Sequence, residues 1–519
     1  MKKLVLVLAV LALSCSTIVV AQENIYVGQS CTSIMVGKDA SSDGSVITSH
    51  TCDGRYRTWM TMEPAADHRA GEMHQVLRGT MLTTHCNDTT GVKVMGEIPE
   101  VAHTYAYLNT AYPCMNEHKL AMGEATFGGP DTLINEKGMF TIEELQRVAL
   151  QRCTKAREAI KLIGDLIKQY GYGDAGECIT IADSREVWQM EIIGAGHDQI
   201  GGVWVAQRVP DDQVAVCANI PRIGRLQRHN TDYFMCSDNV ESVAKKYGLW
   251  NGKEEFKFWK AYNCDYAKGK NFNSREYFIL NALAPSWNLT MEMDELPFSV
   301  KPDKKVDIRD VIELFRATYE GTDLDMCQNL KANVKYRNKE GKVVEEFMTS
   351  PVANPWMSGS TMSLLNTLAP GTVEFQRTVS VSWCAYSHVI TLYDDLPDAI
   401  GGICWMSVDN PAQSPRVPIF CGNTRLPRAY NVCGQKKYNE DAVVWKYRKA
   451  NKLATVAYGR TRDMMDRAFH EELEKAFKGL PNKTDAETLN AYTLKVFDET
   501  AARWADMEAR LWSYFGLGF

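Results

Sequence analysis

Between Thr141 and Ala218 the chain changes its apolar period once, from helical to strand-like, and this change restricts the fold more than any other stretch. Thr141 with Glu144 reads as a capping box that opens a first helix. Ala156, Ile160, Ile163, Ile167 and Tyr170 recur at helical spacing in a second. Four short apolar runs follow, Cys178–Ala182, Val187–Ile193, Val203–Gln207 and Val214–Ala218, split by Gly- and Asp-containing turns. Two helices followed by an antiparallel meander therefore predict an α+β architecture. Gly171–Gly176 spells G-x-G-x-x-G, but a dinucleotide fingerprint follows a strand and opens a helix. Here the order is reversed, so the string reads as a helix end and a turn.

On either side of this stretch the reading is coarser. Ile34–Val36 and Ser45–Ser49 suit strands joined by the polar turn Lys38–Gly44, a hairpin whose first strand begins at Cys31. Met115–Phe127 reads as a turn and then a strand, and helices are predicted at Glu241–Tyr247 and Ile308–Thr318. Gln376–Trp383, Ser387–Leu392 and Gly402–Val408 read as further strands. From Glu440 the pattern is helical, with Leu494, Phe497, Ala501, Trp504 and Leu511 as one stripe. At 519 residues the chain exceeds the roughly 250–300 at which one core usually stops growing. No repeat or low-complexity linker divides it, so one catalytic domain over residues 31–435 with a helical extension over 436–519 fits best.

The leader sets the compartment. Met1-Lys2-Lys3 is a basic start, Leu4–Leu13 is apolar but too short to span a bilayer, and Val19-Val20-Ala21 offers small residues for cleavage. Residues 1–21 are read as a signal peptide and 22–30 as a short propeptide, giving an exported, periplasmic or extracellular protein. Leu11–Cys15 offers a competing lipoprotein box with Cys15 acylated, weakened by Ala12 where a larger aliphatic residue is usual. No later run is apolar enough to span a membrane. The formal charge of −6 is spread along the chain without a Lys/Arg block, which argues against a nucleic-acid partner. Fifteen cysteines occur without a C-x-x-C, and no H-E-x-x-H occurs, so no metal or other cofactor is expected. Most of them read as small buried hydrophobes, with one or two disulfides left open.

Cys31 carries a distinct chemistry if it becomes a chain N-terminus. A thiol titrates near 8.5 and an α-amine near 7.7–8.0, so close to neutrality much of the amine is free base. Nucleophile and base then sit on one residue, and no histidine is required. Cys31-Thr32-Ser33, with Val36-Gly37-Lys38-Asp39-Ala40-Ser41-Ser42-Asp43-Gly44-Ser45, closely resembles the mature start of the dipeptidase A-like cysteine peptidases. These are N-terminal nucleophile (Ntn) hydrolases, related to the bile-salt and penicillin V amidases. Asn116-Glu117, Glu124-Ala125-Thr126, Trp188–Ile192, Trp204–Asp212, Ala218–Ile223 and Gly402–Trp405 extend the likeness in one order over most of residues 31–430.

The resemblance implies a four-layer αββα sandwich and removal of everything before Cys31. It implies Cys31 as nucleophile, Asp53 as the acid that holds its amine, and Asn219 as an oxyanion donor with Thr126 near the second donor. Arg377 matches an active-site arginine more loosely. His50 stands where the amidases carry an arginine, and reads equally as its substitute or as a plain strand residue. The implied substrate is a short peptide, mainly a dipeptide, whose two charged ends need fixed opposite charges. Glu124 or Glu191 would take the ammonium, Arg377 the carboxylate, and Trp204 would wall the pocket. The alternatives are an amidase acting on a non-peptide N-acyl substrate and an inactive, exported binding protein on the same scaffold. Oligomeric state is left open, a homo-oligomer included.

Overall fold

The structure, a computed structural model, describes residues 30–263, 269–338 and 340–516. The expected signal peptide 1–21, Cys15 with its lipoprotein reading, and residues 22–29 of the expected propeptide lie outside the described residues. Fifteen strands build two large antiparallel sheets. In chain order they begin β1 (Ser30–Val36), β2 (Val46–Asp53), β3 (Thr61–Glu63), β4 (Tyr107–Asn109) and β5 (Met115–Asn116). Next come β6 (Ala121–Gly128), β7 (Gly176–Ala182), β8 (Val187–Gly194), β9 (Gly202–Arg208), β10 (Val214–Cys217) and β11 (Phe234–Cys236). The last are β12 (Ser299–Val300), β13 (Cys384–Leu392), β14 (Gly402–Val408) and β15 (Val417–Phe420). One sheet runs β12-β10-β1-β2-β13-β14-β15, and the other β11-β9-β8-β7-β6-β5-β4-β3. The expected meander is thus the central run of the second sheet, but its fourth strand, β10, leaves to pair with β1 in the first.

The sheets face each other through β1 and β2 on one side and β6 and β7 on the other. Every residue of β2, β7, β8 and β13 is buried, because these strands are covered on both faces. The contact between the sheets is polar and close. Thr48 and Thr180 hydroxyls lie 2.6 Å apart, and Ser33 Oγ donates to the Glu124 carbonyl at 3.2 Å. A Cβ on Gly123 would stand 2.6 Å from the Ser49 carbonyl oxygen, so only glycine allows this spacing.

Helices α1 (Ile142–Arg152) and α2 (Ala156–Tyr170) lie against the second sheet, where Gly164 admits the Trp204 ring. Ala156, Ile160, Ile163 and Ile167 are buried as their spacing predicts, and Gly171 ends α2 at φ 85°. The remaining principal helices are α3 (Ser274–Leu283), α4 (Ile308–Arg316), α5 (Val443–Ala454), α6 (Tyr458–Lys478) and α7 (Ala486–Phe515). They pack around the first sheet, with Phe477 of α6 on Trp405 and the indole of Trp504 donating to the Gln413 carbonyl at 3.1 Å. The fold is α+β.

Some local expectations change. Thr141 precedes α1 as read, but its side chain caps nothing, and Glu144 instead binds His74 and Arg147. Tertiary partners outcompeted the local box. Gln376–Trp383 is an irregular segment beside β13, since Arg377 turns inward to pair with an acid. Leu494 is exposed, and the buried face of α7 runs Leu489, Val496, Phe497, Trp504, Met507 and Leu511. Thirteen cysteines among the described residues are all free. No described helix is long and apolar enough to cross a membrane.

Candidate active site

Cys31 is the second residue of β1, and its side chain points between the sheets with only 1% of its surface exposed. Its peptide N–H donates to Asn219 Oδ1 at 2.9 Å, and its thiol to Glu124 Oε1 at 3.1 Å. Burial first, and then the Glu124 carboxylate, hold the thiol well above its ordinary range. Both effects favour the protonated thiol.

Asn219, two residues past the end of β10, lies in the left-handed region at φ 67°, a conformation asparagine tolerates better than most residues. Its Oδ1 receives both the Cys31 N–H and Arg275 Nη2, the latter at 3.0 Å. Two donors on that atom settle the orientation of the amide, so Nδ2 is the nitrogen that donates to the Thr126 carbonyl at 2.6 Å. Thr126 acts here through its carbonyl, while its hydroxyl donates to Glu177 at 2.7 Å. Burial raises the carboxyls of both Glu124 and Glu177, two acids set close together between the sheets.

Asp53 stands opposite Ser30 across the β1–β2 pair. Its Oδ2 takes Arg377 Nη2 at 2.6 Å and Thr51 Oγ1 at 2.8 Å, whereas its buried Oδ1 has no hydrogen-bond partner. Arg377 also grips the Ser30 hydroxyl through Nε and Nη2, at 3.1 and 2.7 Å. Here the arginine that pairs with the acid comes from a distant segment, and His50 does not fill that role. His50 is buried, neutral and lowered to about 4 by burial, with Nδ1 2.7 Å from the Glu124 carbonyl.

Two expected site residues sit elsewhere. Trp204 lies on the outer face of its sheet against Gly164 of α2, while its neighbours Val203 and Val205 share the apolar cluster of Cys31. Alternate residues of a strand face opposite ways, so Trp204 cannot wall this site. Glu191 accepts from Gln189 at 2.7 Å and from the backbone N–H groups of Arg222 and Ile223. It fastens the loop after Asn219, and burial raises its carboxyl to about 7.

One central residue escaped sequence reading. Arg275, buried at the start of α3, donates to the Cys31 carbonyl at 2.7 Å and to the Ala218 carbonyl at 2.9 Å, besides Asn219. The adjacent Glu276 accepts the Ala218 N–H at 2.8 Å. The usable signal was the capping box from Asn273 to Glu276. It marks a helix start, but nothing local ties that start to Cys31. A surface cleft of about 870 Å³ between the hairpin 331–349 and α6 shares no residue with this cluster.

The family described as Peptidase family C69 matches residues 30–471. The chain belongs to peptidase family C69. The match opens with β1, so this C69 peptidase carries Cys31 at the second matched position. Its relatives include a probable dipeptidase of Latilactobacillus sakei, 25% identical over 83% of this chain and 82% of the relative. A probable dipeptidase B of Streptococcus pyogenes serotype M1 is 25% identical over 82% and 79%. A probable dipeptidase of Salmonella dublin is 26% identical over 76% and 81%. The likeness thus runs through both sheets of this C69 peptidase and into α6.

Proposed function

We propose that this C69 peptidase is an exported cysteine dipeptidase. Its nucleophile is the Cys31 thiol and its base is the α-amine of the same residue, freed by removal of the chain through Ser30. One observation carries the reading. The polar shell is built around the Cys31 nitrogen as well as the sulfur, with Asn219 Oδ1 at 2.9 Å and the unpartnered Asp53 Oδ1 across the pair. A free ammonium has three N–H bonds to place where a peptide has one. The dipeptidase names of the relatives and the leader of this chain favour the substrate and the export. Two facing sheets with helices on their outer sides favour the Ntn-type αββα layering.

In the reaction the amine takes the thiol proton, directly or through water. The thiolate adds to the peptide carbonyl, and the Asn219 amide with a backbone N–H stabilises the oxyanion. The ammonium then returns its proton to the leaving amine, and water releases the acyl group. Departure of Ser30 takes the hydroxyl from Arg377 Nε and Nη2, an edge that then suits the substrate carboxylate. Glu124, beside the sulfur, suits the substrate ammonium. Two measurements on secreted protein test this. N-terminal sequencing is expected to start at Cys31, and Ala-Ala is expected to be cleaved with activity lost in Cys31→Ala. An active protein still carrying Ser30 would refute the mechanism. Turnover of bile-salt or penicillin amides in place of dipeptides would move the reading to an amidase.

A further inference from the structure

Two donor groups lie buried near the sulfur: His50 Nε2, which has no hydrogen-bond partner and no part in the proposed mechanism, and the Glu124 carboxylate, which has the acid Glu177 as a close neighbour. The tautomer of His50 follows from its neighbour. Two groups of Glu124 face Nδ1, its carbonyl at 2.7 Å, which can only accept, and its N–H at 3.3 Å, which can only donate; the shorter contact assigns the hydrogen to Nδ1 and leaves a lone pair on Nε2. That lone pair lies 3.7 Å from Glu124 Oε1, which is itself 3.1 Å from Cys31 Sγ. One donor atom from each of Cys31, His50 and Glu124 lies within 4.8 Å of the others. Ligand bonds of about 2.0–2.3 Å around a tetrahedral zinc ion set neighbouring donors roughly 3.3–3.7 Å apart. Small side-chain shifts would bring these three to that spacing.

We propose that Cys31 Sγ, His50 Nε2 and the Glu124 carboxylate form a binding site for a thiophilic divalent cation, of which zinc is the type, and that its occupancy reversibly locks the nucleophile. The donor set mixes one soft thiolate, one imidazole and one carboxylate, a combination zinc accepts and hard cations such as magnesium do not favour. A carbonyl holding Nδ1–H is the usual support of a metal-bound imidazole. The cation replaces the thiol proton, which leaves to solvent together with any proton on Glu124, so the step needs no oxidant or reductant. A fourth position remains for water or for the freed Cys31 amine. Cys31 is almost wholly buried with Ser30 attached, and the proposed removal of the chain through Ser30 would free the neighbouring amine as a further ligand. The locking rests on the proposed role of Cys31 and the amine ligand on its proposed processing, whereas the donor set of Cys31, His50 and Glu124 rests on neither.

The test uses processed, chelator-treated protein and cadmium as a spectroscopic stand-in for zinc. One equivalent is expected to raise a thiolate-to-cadmium charge-transfer band that is missing from Cys31→Ser. His50→Asn and Glu124→Gln are each expected to weaken binding by about tenfold or more, with circular dichroism checking that each variant folds. X-ray absorption of the zinc form is expected to show one sulfur among lighter scatterers. A band of full strength in Cys31→Ser, affinity untouched by both ligand variants, or a shell of two or more sulfurs would each overturn the site. Zinc is also expected to stop dipeptide hydrolysis until a chelator is added, with His50→Asn about tenfold less sensitive. Protein that binds cadmium in this way but cleaves no dipeptide keeps the site and removes only the dipeptidase reading.

Discussion

At the residue scale the site rests on hydrogen bonds that fix where each donor points. Asn219 is aimed by two donors on its oxygen and by the Thr126 carbonyl on its nitrogen. Asn219→Ala is expected to fold and to lose about 10²–10³ in kcat, read by steady-state kinetics on a dipeptide. Arg275 holds the Cys31 carbonyl, the Ala218 carbonyl and Asn219 with one planar fork. A lysine ammonium cannot span three such acceptors, so Arg275→Lys is expected to cut kcat by about tenfold or more with KM little changed. A purely structural arginine would instead leave kcat alone and lower the melting temperature. His50 makes a pH prediction. Its ring titrates at about 4 in the folded chain against 6.5 ordinarily, so between those values the unfolded chain holds a proton that the folded one lacks. Stability therefore rises with pH across this window and falls on acidification, by about 3 kcal/mol in all. His50→Asn is expected to flatten that part of the pH dependence of the urea midpoint.

At the scale of elements, close approach of the two sheets matters more than any one strand. Gly123 of β6 faces the Ser49 carbonyl of β2, and the neighbouring Glu124 reaches Cys31 only because the gap is this narrow. Gly123→Ala is expected to cost about 1–3 kcal/mol by overpacking and to reduce activity beyond what its stability loss explains. Chemical denaturation and kinetics on the same preparation would separate the two effects. The start of α3 is the other critical junction. The Asn273 side chain caps the helix through the Arg275 N–H and donates to the Ala218 carbonyl at 2.7 Å, joining helix, strand end and site. Strand existence around 178–218 and 384–408 was legible because continuous apolar runs bounded by turns leave few readings. The α3 start was not tied to the site, since a capping box carries no information about a strand 55 residues away.

At the scale of the whole molecule the C-terminal helices belong to the same core as the sheets. Trp504 is fully buried, and its indole donates to the Gln413 carbonyl and to Asn451 Oδ1. Asn423, after β15, is tied to Asn490 and Thr493 of α7. Trp504→Ala is expected to cost about 3–5 kcal/mol, and a chain ending at residue 435 is expected to misfold because β14 and β15 lose their cover. Solubility and calorimetry of the two variants would check this.

Read alone, the sequence determined the α+β class, the meander, the hairpin that begins at Cys31 and the residue types on which an N-terminal thiol mechanism depends. These rest on local periodicity and on chemistry carried by single side chains, which need no partner to be recognised. Tertiary structure decided which charges meet. Arg377 rather than His50 pairs with Asp53, Arg275 orients Asn219, Glu191 fastens a loop, and Trp204 faces away. Each of these depends on two segments dozens to hundreds of residues apart being brought within hydrogen-bond distance. Only the packing of the sheets and helices sets such a distance.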